Sequence, residues 1–142
     1  MSADPRDPRG PVSFRYQNGL GHMPAYMVAG HPFITGSAAL AANGGEHTIS
    51  FPYVTRKITV IVNGDTPIRV HFRSDDIDRV IAGNHFITLD GDEESMTFNI
   101  KCKEIFISNA HATNAAGYTV YAELTTISTD SMYVLTGSGI TV

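Results

Sequence analysis

A two-residue alternation of apolar and polar side chains, repeated in short runs, constrains the fold of this chain more than any other feature. It is clearest between Phe51 and Arg73, where Ile58, Val60 and Val62 occupy every second position. That period places alternate side chains on one face of a β-strand. The segment 63–67, NGDTP, then combines turn-forming residues with proline, and the alternation resumes. We therefore predict an antiparallel hairpin over Phe51–Arg73, with the three aliphatic residues facing a core.

Similar runs occur along most of the chain, the most regular of them at Tyr118–Thr125. We count about eight to ten short strands separated by turn signals, which is typical of sandwiches and barrels. The only helix predicted is a short one at Ser74–Asn84, with Ser74 as its N-cap, and a structured loop is the alternative for this segment. Gly36–Gly45 is predicted to be a loop, and Lys103–Glu104 a bulge at which the inward register shifts by one. The predicted fold is all-β: an antiparallel β-sandwich or jelly-roll-like barrel with an extended N-terminal arm.

The chain divides by composition into three parts. Residues 1–23 form an N-terminal arm and lead-in, and the first 11 of them contain three prolines and four charged side chains. Residues 24–128 form the predicted β-sandwich domain. Residues 129–142 form a C-terminal tail or edge strand that is too apolar, at Met132, Val134 and Leu135, for a solvated tail.

Composition excludes several classes of function. The 142 residues are 42% hydrophobic and 17% charged, with a net charge of −4. No basic stripe is present, so we predict no nucleic-acid partner. No apolar run approaches the roughly 20 residues of a membrane span, and the N-terminus lacks the apolar region of a secretory signal. We therefore expect no membrane partner and synthesis in a cytoplasm.

No residue pattern indicates catalysis, so we predict no enzyme, no catalytic or metal-binding residues and no cofactor. Cys102 is the single cysteine, which excludes a disulfide within the chain and favours a small core residue. The acidic run at 90–94 is better explained as an exposed turn than as a calcium loop. The six histidines lack the close spacing of most metal sites, although His71 and His85 would still be able to meet across a sheet.

Five segments carry a resemblance to a family of structural proteins: Pro24–Gly36, Ile49–Gly64, Ile68–Phe72, His85–Ser108 and Tyr118–Ser128. In this order their strand and turn pattern resembles the small proteins that are encoded beside capsid genes in tailed, marine-type bacteriophages. Such proteins resemble capsid decoration, or cement, proteins, which are β-sandwich units that are often trimeric and sit on the outer shell.

The resemblance implies a virion protein on the capsid exterior, made in the host cytoplasm. Its partners would be the major capsid protein and further copies of the chain, as a homotrimer. Apolar or basic side chains without obvious core partners are the candidate contacts. The candidate capsid contacts are Arg6, Arg9, Phe14, Tyr16, Tyr26 and Phe33, and the candidate subunit contacts are Met132, Val134 and Leu135.

Two other functions remain open from the sequence. A head- or tail-fibre β-sandwich that binds a host glycan would have the same strand pattern. A small barrel enzyme with a histidine-bound metal is a third reading, although the close histidine pair and following glutamate typical of such enzymes are absent.

Overall fold

The computed structural model describes Leu20 and residues 30–136. It contains eight strands, one short α-helix and one 3-10 helix within those residues. The strands are β1 (Pro32–Leu40), β2 (Glu46–Ser50), β3 (Tyr53–Asn63), β4 (Ile68–His71), β5 (Ile87–Leu89), β6 (Ser95–Phe98), β7 (Glu104–Asn109) and β8 (Ala116–Ser128). The helix α1 spans Asp75–Asp78, and the 3-10 helix spans Thr129–Ser131.

The strands form two antiparallel four-stranded sheets. Sheet A has the order β1-β8-β3-β6, and sheet B has the order β2-β7-β4-β5. The first strand therefore pairs with the last, the second with the seventh, the third with the sixth and the fourth with the fifth. This is the pairing of an eight-stranded jelly roll, a double-sheet sandwich built from two Greek keys. The predicted fold class is confirmed; the predicted arm lies outside the described residues.

The core lies between the two sheets and takes aliphatic side chains from both. Ile58 and Val60 from sheet A, and Ile68 and Ile107 from sheet B, have no exposed surface. Cys102 is also in this core, at 1% exposure, as predicted. A second, smaller cluster of Val54, Ile127 and Met132 closes one end of the sandwich.

The predicted hairpin over Phe51–Arg73 is wrong in its pairing. Its two runs are strands with the predicted inward face, but β3 lies in sheet A and β4 in sheet B. The turn at 63–67 therefore carries the chain from one sheet to the other. Each strand takes distant partners instead: β3 pairs with β6 and β8, and β4 with β5 and β7.

Two other local predictions are corrected by sheet membership. Gly36–Gly45 is not a loop throughout, because β1 continues to Leu40 as an edge strand paired with β8. No bulge explains the change of register near Lys103–Glu104. There the chain leaves β6 in sheet A and enters β7 in sheet B, so the side chains that face the core change with the sheet.

The predicted N-cap at Ser74 is confirmed, since its hydroxyl accepts a hydrogen bond from the amide of Asp76 at 3.3 Å. The helix is shorter than predicted and ends at Arg79, which is in the left-handed conformation with φ of 51°. Residues 73–86, which we call the excursion, lie between β4 and β5. Val80 of the excursion is fully buried, so the segment packs as part of the domain.

Candidate functional site

The outer face of sheet A carries no charged side chain in the two central rows of its described residues. The register aligns Ile34, Tyr121, Thr59 and Thr97 in one row across all four strands, with Gly36, Thr119, Ile61 and Ser95 in the next row. Since Ile58 and Val60 point into the core, the intervening positions of β3 point outward. We call these eight residues the open face.

The open face combines exposed apolar surface with short hydroxyl side chains. Ile34 is 68% exposed, the largest value among the exposed large hydrophobic side chains of the described residues. Thr59 and Thr97 share a hydrogen bond of 2.9 Å between their hydroxyl oxygens, and Asn63 donates to the hydroxyl of Thr119 at 2.8 Å. These cross-strand bonds hold the polar side chains against the sheet.

Charged residues border the open face at one end. Arg56 forms a salt bridge with Glu123, and Lys57 lies 4.0 Å from the same carboxylate. The hydrogen bond from Arg56 lowers the pKa of Glu123 despite an opposing contribution from desolvation. Beside this pair is a recess of about 240 Å³ whose lining includes His31 and Tyr121.

The outer face of sheet B differs because the excursion covers part of it. Glu46 of β2 accepts hydrogen bonds from the Ser74 hydroxyl at 2.7 Å and from the Asp75 amide at 3.0 Å. The ring of His71 stacks on Phe106 with an interplanar angle of 4°. Both rings are at least 95% buried, so this part of sheet B is unavailable to a partner.

Both ring nitrogens of His71 are engaged in hydrogen bonds within the domain, an arrangement that suits a neutral ring better than a metal ligand or a base. Its Nδ1 donates to the carbonyl of Arg73 at 2.8 Å, which leaves Nε2 to accept from the Ser108 hydroxyl at 2.9 Å. Desolvation by burial lowers the pKa of His71, although the Arg73 carbonyl and the carboxylates of Glu46 and Asp75 oppose that shift. Ser108 is 2% exposed, so no substrate reaches this serine–histidine pair.

Elsewhere, the described residues contain no group of three His, Cys, Asp or Glu side chains placed to hold a metal ion. Burial raises the pKa of the Cys102 thiol to about 12, which makes it a poor nucleophile. Among residues 30–136, no helix has the length and apolar character of a membrane span.

An apolar groove of about 400 Å³ opens at the end of the sandwich beside the small cluster. We call it the end groove; its lining residues are Phe72, Phe98, Ile100, Lys101, Cys102, Tyr133 and Leu135. The Phe72 and Phe98 rings meet edge to face, with centroids 6.0 Å apart. Leu135 packs against both the main core and the small cluster.

The structure does not bring the predicted capsid-contact residues together. Arg6, Arg9, Phe14, Tyr16 and Tyr26 lie outside the described residues. Phe33 is half-buried on the inner side of β1 and packs edge-on against Phe51, with ring centroids 5.4 Å apart. The assumption that Phe33 lacks a core partner is therefore wrong.

The three C-terminal candidates also separate. Met132 is 5% exposed within the chain's own small cluster, which contradicts the assumption that it has no core partner. Leu135 is half-buried at the end groove. Val134, at 40% exposure, remains available to a second subunit.

The sequence contained a signal for the open face that our prediction did not use. The outward positions of β3 and β8 include Thr59, Ile61, Thr119 and Tyr121, where solvated strands more often carry charged residues. The prediction considered apolar side chains in irregular segments and therefore missed the uncharged, outward-facing residues on regular strands.

A scan against protein-family models found no match to this chain, and neither did searches of curated proteins and of solved structures.

Proposed function

We propose that this protein is a structural virion protein that decorates and cements a phage capsid, bridging neighbouring capsid subunits as a homotrimer. The observation that carries the proposal is the open face, an uncharged surface with Ile34 exposed to 68%. Depletion of charged side chains and the presence of an aromatic residue, here Tyr121, are typical of the centre of a protein interface. The jelly-roll fold is shared by viral capsid domains and lectins, which is support by analogy alone.

Cementing requires stiffness and several contacts rather than reactive groups. A protein that binds the assembled shell and not its separated parts stabilises the shell by mass action. Three linked copies bind more tightly than one because the second and third contacts form at high effective concentration. We propose that the open face supplies the main contact with capsid subunits, and that the arm, with Arg6 and Arg9, supplies a further one.

The test compares two isoleucines that are similarly exposed on opposite sides of the sandwich. Ile34 lies on the open face, and Ile77, at 59% exposure, lies on the excursion. Capsids of the phage that encodes the chain would be stripped of the protein and mixed with each purified variant. We expect Ile34→Glu to weaken binding at least about tenfold, which corresponds to about 1.4 kcal/mol, while Ile77→Glu binds as the unchanged protein does.

Shell stability and assembly state provide two further measurements. Capsids that have regained the unchanged protein should resist heat and osmotic shock better than stripped capsids, and light scattering should show a trimer. Removal of residues 1–11 should leave the fold intact and weaken attachment. Equal binding by the two isoleucine variants, or no binding by the unchanged protein, would refute the proposal.

The recess beside the open face supports a second candidate, a fibre protein that binds a host glycan. Tyr121 offers an aromatic surface there, and Arg56 and Glu123 offer charged hydrogen-bonding groups. A glycan array with Tyr121→Ala as the control would test this function. A defined sugar bound by the unchanged protein and lost in the variant would favour it over cementing.

A further inference from the structure

Asparagine followed by glycine occurs three times in the chain, and two of these pairs lie in turns that the structure describes. Asn43–Gly44 is in the turn between β1 and β2, and Asn63–Gly64 is at the end of β3. The third pair, Asn18–Gly19, lies outside the described residues. Glycine has no side chain to hinder its main-chain nitrogen. That nitrogen is therefore able to attack the side-chain carbonyl of the preceding asparagine and expel the side-chain amide.

The Asn63–Gly64 pair is exposed to solvent, but hydrogen bonds restrain it on both sides of the peptide bond that would react. Asn63 donates from its side-chain amide to the Thr119 hydroxyl at 2.8 Å, and its main chain is paired with Gly117 of β8. The carbonyl of Gly64 accepts a hydrogen bond from the amide of Asp92 at 2.7 Å. Rotation of either group toward the other would break these bonds.

The Asn43–Gly44 pair is equally exposed and is held only at its first amide. The main-chain amide of Asn43 donates to the carbonyl of His111 at 2.8 Å, but no hydrogen bond to another described residue holds the Asn43 side chain or the Gly44 amide. Gly44 has φ of 85°, and a Cβ atom built on it would meet no heavy atom within 4 Å. The peptide group between the two residues therefore has room to rotate, as ring closure requires.

We propose that Asn43 is a site of spontaneous deamidation in the folded protein and that Asn63 is protected from the same reaction. The Gly44 nitrogen loses its proton and forms a bond to Cγ of Asn43, while the bond from Cγ to Nδ2 breaks and the amide nitrogen leaves with that proton as ammonia. Water then opens the cyclic imide at either carbonyl, which gives aspartate or isoaspartate. Water is the only co-reactant, and nothing is oxidised or reduced.

Deamidation changes the turn between β1 and β2 in charge and in length. Both products add a carboxylate to the turn. Isoaspartate also inserts a methylene group into the main chain, next to the residue whose amide donates to His111. This turn carries the chain from sheet A to sheet B, so the modification alters a connection between the sheets. The inference does not rest on the proposed function, because the reaction needs only the chain and water.

Peptide mass spectrometry after incubation in mildly alkaline buffer tests the proposal. The full-length protein would be incubated both folded and unfolded in urea, and fragment ions would assign each event to Asn18, Asn43 or Asn63. In the folded protein we expect deamidation at Asn43 to be at least about tenfold faster than at Asn63. In urea the two rates should become similar, because glycine follows both residues. Similar rates in the folded protein, or no reaction at Asn43, would overturn the proposal.

Detection of isoaspartate provides an independent measurement on two matched variants. Both would carry Asn18→Gln, which removes the pair outside the described residues, and one would also carry Asn43→Gln. After incubation of the folded proteins, an isoaspartyl methyltransferase with labelled methyl donor should label the first variant at least about tenfold more than the second. Equal labelling of the two variants would place the reaction at another residue and overturn the assignment to Asn43.

Discussion

The buried polar side chains among the described residues are paired, and several of the pairs join parts of the chain that are distant in sequence. His47 and Tyr118 share a hydrogen bond of 2.8 Å between facing sheets, and burial raises the pKa of Tyr118. Asn109 donates from one amide nitrogen to the carbonyls of Leu40 and Asn114. Leaving any such group unpaired would cost about 1–3 kcal/mol, so these residues help to specify one arrangement of strands.

His71 makes the stability of the protein sensitive to mild acid. Because the folded-state pKa of His71 is lowered, the unfolded chain binds the proton more readily below pH about 6.5. The contribution of His71 to the free energy of unfolding is complete above pH about 6.5, and it is lost as the pH falls toward the lowered pKa of the folded state. We expect the free energy of unfolding, measured by urea titration, to fall by at most about 1.4 kcal/mol per pH unit from this group.

The control is a histidine on the excursion. His71→Gln should flatten the decline in stability between pH 6.5 and 5, and His85→Gln is the matched replacement of a second histidine. The groups that face His71 are Glu46, Asp75, Arg69 and Ser108, and all four are present in both variants. An equally steep decline in both would show that another group is responsible.

At the scale of elements, the excursion is fastened to sheet B chiefly through Glu46. Its carboxylate accepts from the side chain of the N-cap Ser74 and from the first amide of α1. A more exposed contact lies within the excursion itself, the salt bridge of 2.9 Å between Arg73 and Asp78. The Glu46 hydrogen bonds and this salt bridge differ in burial and therefore in their expected contributions to the local stability of the excursion.

Glu46→Ala should loosen the excursion without unfolding the sheets. Loss of both hydrogen bonds at a largely buried site should lower the local opening free energy by about 1–3 kcal/mol. Hydrogen exchange should show faster exchange over residues 75–85 and unchanged protection in β8. Arg73→Ala removes a surface ion pair worth at most about 1 kcal/mol and should have the smaller effect; the reverse order would contradict this account.

The edge strand β1 depends on a close approach of backbones at Gly36. A Cβ atom built at this position would lie 2.6 Å from the carbonyl oxygen of Tyr118 in β8, which no relaxed structure permits. Gly36→Ala should therefore displace β1 and lower the melting temperature, while Ser37→Ala should change it little. Equal melting temperatures for both variants would show that β1 adapts without cost.

The strands were predictable from sequence and their partners were not. The alternation at Ile58, Val60 and Val62 reports which side chains face a core, and the structure confirms that face. It does not report whether the next strand lies beside β3 or opposite it, because both arrangements bury the same residues. The turn at 63–67 suits a sheet-to-sheet crossing as well as a hairpin, and so the pairing was wrong.

The same limit explains the results for the candidate site. Phe33 and Met132 looked unpartnered because their contacts with Phe51 and with Val54 come from elements distant in sequence. The open face likewise exists only because β1, β8, β3 and β6 lie side by side. The surface of a jelly roll is therefore formed by segments that are distant in sequence. Local sequence patterns do not show which of these segments lie side by side.

At the scale of the whole molecule, stability depends on the two sheets facing each other over one core. Most strand pairings join residues far apart in sequence, with β1 against β8 as the extreme case. Such folds form slowly, because the entropy of closing long loops is lost before the stabilising long-range contacts can form. A charge placed between the sheets should therefore disrupt every pairing together rather than one strand alone.

Val60 and Thr59 provide the test, since they are neighbours on β3 with opposite faces. Val60 has no exposed surface, and Val60→Asp would bury an unpaired carboxylate between the sheets at a cost of at least about 3 kcal/mol. We expect circular dichroism and urea titration to show an unfolded or severely destabilised protein. Thr59→Asp places the same charge on the open face and should leave a folded domain; the proposed function predicts in addition that this variant binds capsids more weakly. A fully structured Val60→Asp variant would mean that the two faces of β3 are the reverse of those described, and the open face would then lose its physical basis.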